Sequence, residues 1–108
     1  MVKLTGPLER VLRVLTADPA AQHYGYDLMK AARLPSGTLY PLLGRLEDQK
    51  LVTSAWESPH QDGQRPRKYY RLTAEGVRVA RLELAHASAQ ARRAAQGTAA
   101  RPVQEGTR

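Results

Sequence analysis

The chain has 108 residues, with 17 Lys and Arg against 10 Asp and Glu, a formal charge of +7 and a pI near 10.3. That length makes one domain with a single modest core, and the charge calls for a polyanionic partner, most often nucleic acid, although a ribosomal or membrane-surface protein shares such a balance. The absence of cysteine excludes disulfide and thiol chemistry, no apolar run nears the ~18 residues of a membrane span, and no signal-peptide pattern opens the chain, so a cytoplasmic, nucleoid-associated location is expected.

Residues 1–6 read as a lead-in, and Pro7 suits the first turn of a helix, where its missing N–H costs nothing. Leu8, Val11, Leu12 and Leu15 then repeat at i, i+3, i+4 and i+7, with Arg10 and Arg13 turned outward. Asp18–Pro19 ends this helix. A short second helix is expected over about 24–32, burying Leu28, Ala31 and Tyr24, and Arg33–Leu34–Pro35 turns the chain into a third.

The third helix organises the chain. Leu39, Leu42, Leu43 and Leu46 make its buried stripe. The opposite side carries Gly37, Pro41, Gly44 and, at the far end, Asp48, edged by Thr38 and Arg45 on one flank and Tyr40 on the other. Such a slim, nearly bare face suits a helix that enters a narrow space such as the B-DNA major groove, about 12 Å wide. It equally suits a helix buried on two sides, so neighbouring segments must decide. Pro41 conflicts with a helix already running at Gly37; the expected solution makes Thr38 the N-cap and Ser36–Gly37 a tighter leading turn, with regular helix to about Lys50. Free amides at that end would suit a phosphate.

Two strands follow, over 51–57 and 67–72, around a polar tip at 58–66 with an Asp62–Gly63 turn signal. The period of two sends Tyr70 and Leu72 to the core and leaves Tyr69 and Arg71 on the other side. Thr73 should cap a last helix to about Ala95. Val77, Ala80, Leu84, Ala87 and Ala91 keep a heptad-like spacing, with Val79, Leu82 and His86 as a second partial stripe, which together ask for a dimer contact at close helix approach. Residues 97–108 lack periodicity and read as a disordered tail.

The fold class expected is mainly α with a small β-hairpin: a winged helix-turn-helix over 1–72 and a C-terminal dimerisation helix over 73–96. The runs Tyr24–Gly25–Tyr26–Asp27–Leu28, then Ser36–Gly37–Thr38–Leu39–Tyr40–Pro41 with Arg45–Leu46–Glu47, then Arg65–Pro66–Arg67–Lys68–Tyr69–Tyr70–Arg71–Leu72–Thr73 with Gly76 occur in that order. Together they resemble the PadR family of bacterial transcriptional regulators over about residues 8–90. The resemblance implies a homodimer that binds a double-stranded DNA operator with two wings and two recognition helices, most often as a repressor. Some family members release DNA when a small molecule binds. Here the segment from Leu28 to Ser36 is shorter than in many relatives, and a single C-terminal helix replaces a larger effector domain, which argues against a dedicated ligand pocket and leaves any small-molecule effector unidentified.

On this reading affinity comes from phosphate neutralisation and sequence preference from the third helix. Ser36, Thr38 and Tyr40 are the expected contacts near its start. Arg45 reaches either a guanine or a phosphate, and only the guanine contact carries sequence information. Arg65, Arg67 and Lys68 straddle a phosphate run or enter the minor groove; Tyr69 is the further candidate, since one of Tyr69 and Tyr70 belongs to the core. Asp48 would repel phosphate, so the N-terminal half of the helix enters the groove.

No catalytic pattern appears and no cofactor is expected. His23, His60 and His86 lie on three elements without ligand spacing, and there is no glycine-rich phosphate loop or nucleophile elbow. Glu9, Glu47 and Glu83 read as solvated helix faces. Trp56 is read as a structural strand residue, with a ligand pocket near the dimer interface as its other role. A winged helix that docks a protein through the same slim face remains the alternative function, and a basic wing speaks against it.

Overall fold

The computed structural model describes residues 4–57, 63 and 65–106, with side chains as far as Gln96. Helix α1, Gly6–Ala17, begins where Thr5 Oγ1 accepts the Leu8 amide at 3.3 Å, with Pro7 in its first turn. All four residues of its apolar stripe are buried. The chain then makes a short strand, β1 at His23–Tyr24, before helix α2 at Gly25–Ala32. Within α2 the inward face is Leu28 and Ala32, one turn apart, whereas Ala31, expected inside, is exposed and Tyr24 is only half-buried. Arg33 closes α2 in the left-handed region at φ 58°, and Arg10 Nε donates to the Ala32 carbonyl at 2.9 Å. That contact satisfies one of the carbonyls a helix end leaves free.

Helix α3 spans Ser36–Asp48 and starts three residues earlier than Thr38 as N-cap would allow. Pro35 is extended and serves as N-cap, and its carbonyl accepts both the Thr38 and Leu39 amides at 3.0 Å. Pro41 therefore lies inside the helix and leaves the Gly37 carbonyl without its i+4 donor. Gly37 is exposed, so water can take that place and the usual cost of an internal proline is reduced. Leu39, Leu43 and Leu46 are at most 1% exposed and Leu42 packs against them half-buried.

The end of α3 is locked by Leu51 N donating to Leu46 O at 2.9 Å, with Lys50 held at φ 62°. A side chain in that left-handed position is strained, and glycine is not. Lys50→Gly should therefore stabilise the domain by about 0.5 kcal/mol and raise the thermal midpoint by about 2 °C; calorimetry would check it, and a lower midpoint would contradict it.

Strands β2, Val52–Glu57, and β3, Arg67–Leu72, pair antiparallel, and β1 joins the far edge of β3 through His23↔Tyr70 and Tyr24↔Tyr69. The expected hairpin is thus part of a three-stranded sheet ordered β1–β3–β2. A two-residue strand carries no periodicity of its own and exists because β3 offers it a partner. Tyr70, Leu72 and Val52 turn inward and Arg71 outward. The wing tip at 58–62 and Gln64 lie outside the described residues; Gly63, in the expected turn, has φ +82°.

Helix α4 covers Ala74–Gly106. Thr73 caps it, accepting the Gly76 amide at 2.9 Å, while its own hydroxyl donates to Lys50 O at 2.8 Å and its amide to Leu51 O at 3.0 Å. The backbone of α4 runs helical to Gly106, through the segment read from the sequence as a disordered tail, although Gly97, Pro102 and Val103 there favour helix poorly. Ala80 is buried in the chain's own core, with Val77 and Leu84 packed against it. The heptad-like stripe is therefore in good part an intramolecular seam, and Leu82, 58% exposed, stands on the other side. Among the described residues no polar side chain is buried, and no helix is long and apolar enough to cross a membrane.

Candidate nucleic-acid interface

The tight α2–α3 turn leaves one side of α3 uncovered. Ser36, Gly37, Tyr40, Pro41, Arg45 and Asp48 are exposed, and Thr38 and Gly44 half-buried. This is the slim face read from the sequence, and it is not covered by a second layer of the chain. Tyr40 lies across the first turn of α2. Its hydroxyl sits 2.6 Å from where a Cβ on Gly25 would stand, so the close approach depends on that glycine having no side chain.

The two faces of the hairpin do different work. On one, Val52 stands opposite Leu72, Ser54 opposite Tyr70 and Trp56 opposite Lys68. Its inner end is core. Its middle is tied to α3 by Ser54 Oγ donating to Glu47 Oε2 at 2.7 Å, so Glu47 is a structural acceptor as well as a solvated helix residue. Tyr70 is held as a neutral phenol: burial raises its pKa, and Tyr40 and Glu47 add to the shift. At the outer end the Lys68 ammonium lies 5.6 Å from the centres of both the Trp56 and Tyr70 rings.

On the other face Tyr69 packs edge-on against Tyr24, centres 6.1 Å apart. The Arg67 guanidinium lies 3.8 Å over the Tyr24 ring and its Nε is 3.5 Å from Glu57 Oε1, while the Tyr24 hydroxyl donates to Glu57 Oε2 at 2.8 Å. Tyr24 first, and then Glu57, raise the already high pKa of Arg67, which is a fixed cation. The pair steadies Arg67 through its Nε and the face of its guanidinium.

Between α2, α3 and the wing runs a cleft of about 800 Å³. It brings together Tyr40, Arg65, Arg67 and Lys68 from the sequence-derived set. Ser36 and Thr38 lie at the start of α3 and Arg45 farther along it, outside the cleft walls. Tyr69 does not line the cleft, being committed to Tyr24. Two wall residues lie outside that set: Tyr26, 63% exposed, and Trp56, 66% exposed and so not buried filling. The register that sets Trp56 opposite Lys68 was the available signal. It required knowing the loop length. His23 meets the Asp18 carbonyl at 3.0 Å, and His60 lies outside the described residues. Among the described residues no three acidic, His or Cys side chains gather as a metal site.

The sequence description of the transcriptional regulator PadR-like family matches residues 11–82. Among solved structures, the chain is similar to a PadR-like transcription factor from Bacteroides fragilis, at 30% identity and TM-score 0.64, covering 83% of this chain and 86% of that one. It is also similar to a PadR family transcriptional regulator from Eggerthella lenta, at 38% identity and TM-score 0.53, covering 84% and 78%. The fold alone is shared with S. aureus MepR in its DNA-binding conformation, at 22% identity and TM-score 0.66, covering 88% of this chain and 66% of MepR. No curated protein matches the chain.

Proposed function

We infer that this chain, which belongs to the PadR-like family of transcriptional regulators, binds a double-stranded operator as a homodimer and represses transcription in the cytoplasm. One observation carries the DNA reading: Tyr40, at the edge of the uncovered side of α3, and the cationic root of the wing line the same cleft. A helix placed in the major groove would then set Lys68, Arg65 and Arg67 over the adjacent backbone or minor groove. Those contacts supply affinity, and Thr38, Tyr40 and Arg45 supply preference.

The dimer reading is sharpened by α4. Ala80 is spent on the chain's own core, so the face left for a second copy is that of Leu82 and half-buried Val79 beside Leu51, whereas Ala87 and Ala91 continue the Ala80 side of the helix beside the start of α1. Its apolar residues favour a like surface on a symmetry mate.

Selection of bound duplexes from a random pool, followed by titration at several salt concentrations, tests the reading. Replacing Arg65 and Arg67 with Gln should weaken binding to every sequence and flatten the salt slope by about one per lost phosphate contact. Changing Thr38 or Arg45 should alter preference as well. Binding without preference over random DNA would sink the operator reading and favour a protein-docking module.

A further inference from the structure

The cleft beside α3 holds more aromatic surface than a purely electrostatic wing requires. Trp56, Tyr26 and Tyr40 are the three large aromatic side chains most open to solvent, at 66%, 63% and 43% exposure, and all three line it. Exposed aromatic surface in a small basic protein costs solubility and contributes nothing to the core. Trp56 is also presented in a fixed way. It sits on the hairpin face tied to α3 through Ser54 and Glu47, directly across from Lys68, whose ammonium lies over its ring.

We propose that Trp56 is a DNA-contacting residue, its indole seating a deoxyribose of the strand that runs between α3 and the wing while Lys68 takes the neighbouring phosphate. This rests on the regulator reading above and goes beyond it in assigning an apolar contact to the wing root. Charge complementarity favours a sugar-phosphate strand over other occupants, because Arg65, Arg67 and Lys68 line the cleft. Of the nearby acids, Glu57 is engaged by Tyr24 and Arg67. Asp27, in the first turn of α2, is the other acid on the cleft walls and would disfavour a phosphate placed beside it. Sugar faces offer C–H surface to an aromatic ring, and covering exposed indole is favourable whatever the base sequence.

The contact separates from ordinary phosphate neutralisation by its salt behaviour. Phosphate contacts release counterions and set the slope of affinity against salt; an apolar contact does not. Trp56→Ala should weaken binding about tenfold with the slope unchanged, and Trp56→Phe should recover most of the loss. Lys68→Gln should lower the slope by about one.

Trp56 is the sole tryptophan, so fluorescence of the full chain reports on it alone. The probe is the best duplex recovered from a random pool. On saturation, the acrylamide quenching constant should fall at least about twofold, as expected when exposed indole surface is covered. A duplex that binds while quenching stays as in the free protein would overturn the assignment and leave the regulator reading intact. A chain that binds no duplex would overturn both. Circular dichroism of Trp56→Ala should match the parent, because the residue lies outside the core.

Discussion

Alanine at position 76 is expected to cost about 3 kcal/mol or more, enough to lower the thermal midpoint by over about 12 °C. A Cβ there would stand 1.8 Å from the Leu51 carbonyl oxygen and 2.8 Å from its carbon. Both are backbone atoms, so no rotamer change relieves the overlap. Moving the Leu51 carbonyl would in turn release the Thr73 amide and hydroxyl that bond to it at 3.0 and 3.2 Å. The start of α4 must back away from the α3–β2 junction, opening the core at Val52, Leu72 and Ala80. Urea unfolding of Gly76→Ala against the parent would measure the loss. Glu75→Ala, one residue away and exposed, is the control and should lose far less, giving up only its surface pair with Arg78 and a first-turn charge; an unchanged Gly76→Ala protein would show that the close approach is not required.

The second large effect is on binding and has the opposite sign on stability. Gly37→Glu places a carboxylate on the second residue of α3, on the uncovered side, with nothing within 4 Å of its Cβ. Near a helix N-terminus a negative charge stabilises by a few tenths of a kcal/mol or more, and any side chain there improves helix propensity over glycine. The same carboxylate would face phosphates in the groove, an unpaired like charge that should reduce operator affinity about a hundredfold. A protein that melts no lower but no longer shifts its duplex is the expected result. Retained affinity would mean that the start of α3 does not enter the groove.

Periodic apolar faces were legible because one helix buries one stripe. Leu8, Val11, Leu12 and Leu15, and then Leu39, Leu43 and Leu46, emerge from spacing alone and lie in one core. Tyr70 inside and Arg71 outside likewise follow from alternation along β3. The start of α3 was misplaced because spacing does not report solvent. Pro41 looks forbidding inside a helix, yet the carbonyl it leaves free belongs to exposed Gly37. In α2, eight residues are too few for spacing to choose between Ala31 and Ala32, and the meeting with α1 made the choice. β1 was illegible because its reason to exist lies more than 40 residues away, in β3. The alanines of α4 showed a stripe without showing what it packs on. Of the candidate interface, the cations and the bare helix face were readable; Trp56 was not, because its exposure depends on how far the hairpin reaches beyond α3.

The junction at Leu51 has a mechanical meaning. The last turn of α3, the root of the wing and the first turn of α4 meet around a single peptide group, with Thr73 bonded to it and Gly76 pressed against it. Such a joint behaves as a weld and not as a hinge. A tilt of α4 cannot be absorbed where the helix begins, so it swings reading helix and wing together as one part. In a paired assembly the long helix is then a lever arm: a small change in the angle between two such arms becomes a larger change in the spacing of the two reading heads. In such an assembly the distance between half-sites would be set by how the arms cross.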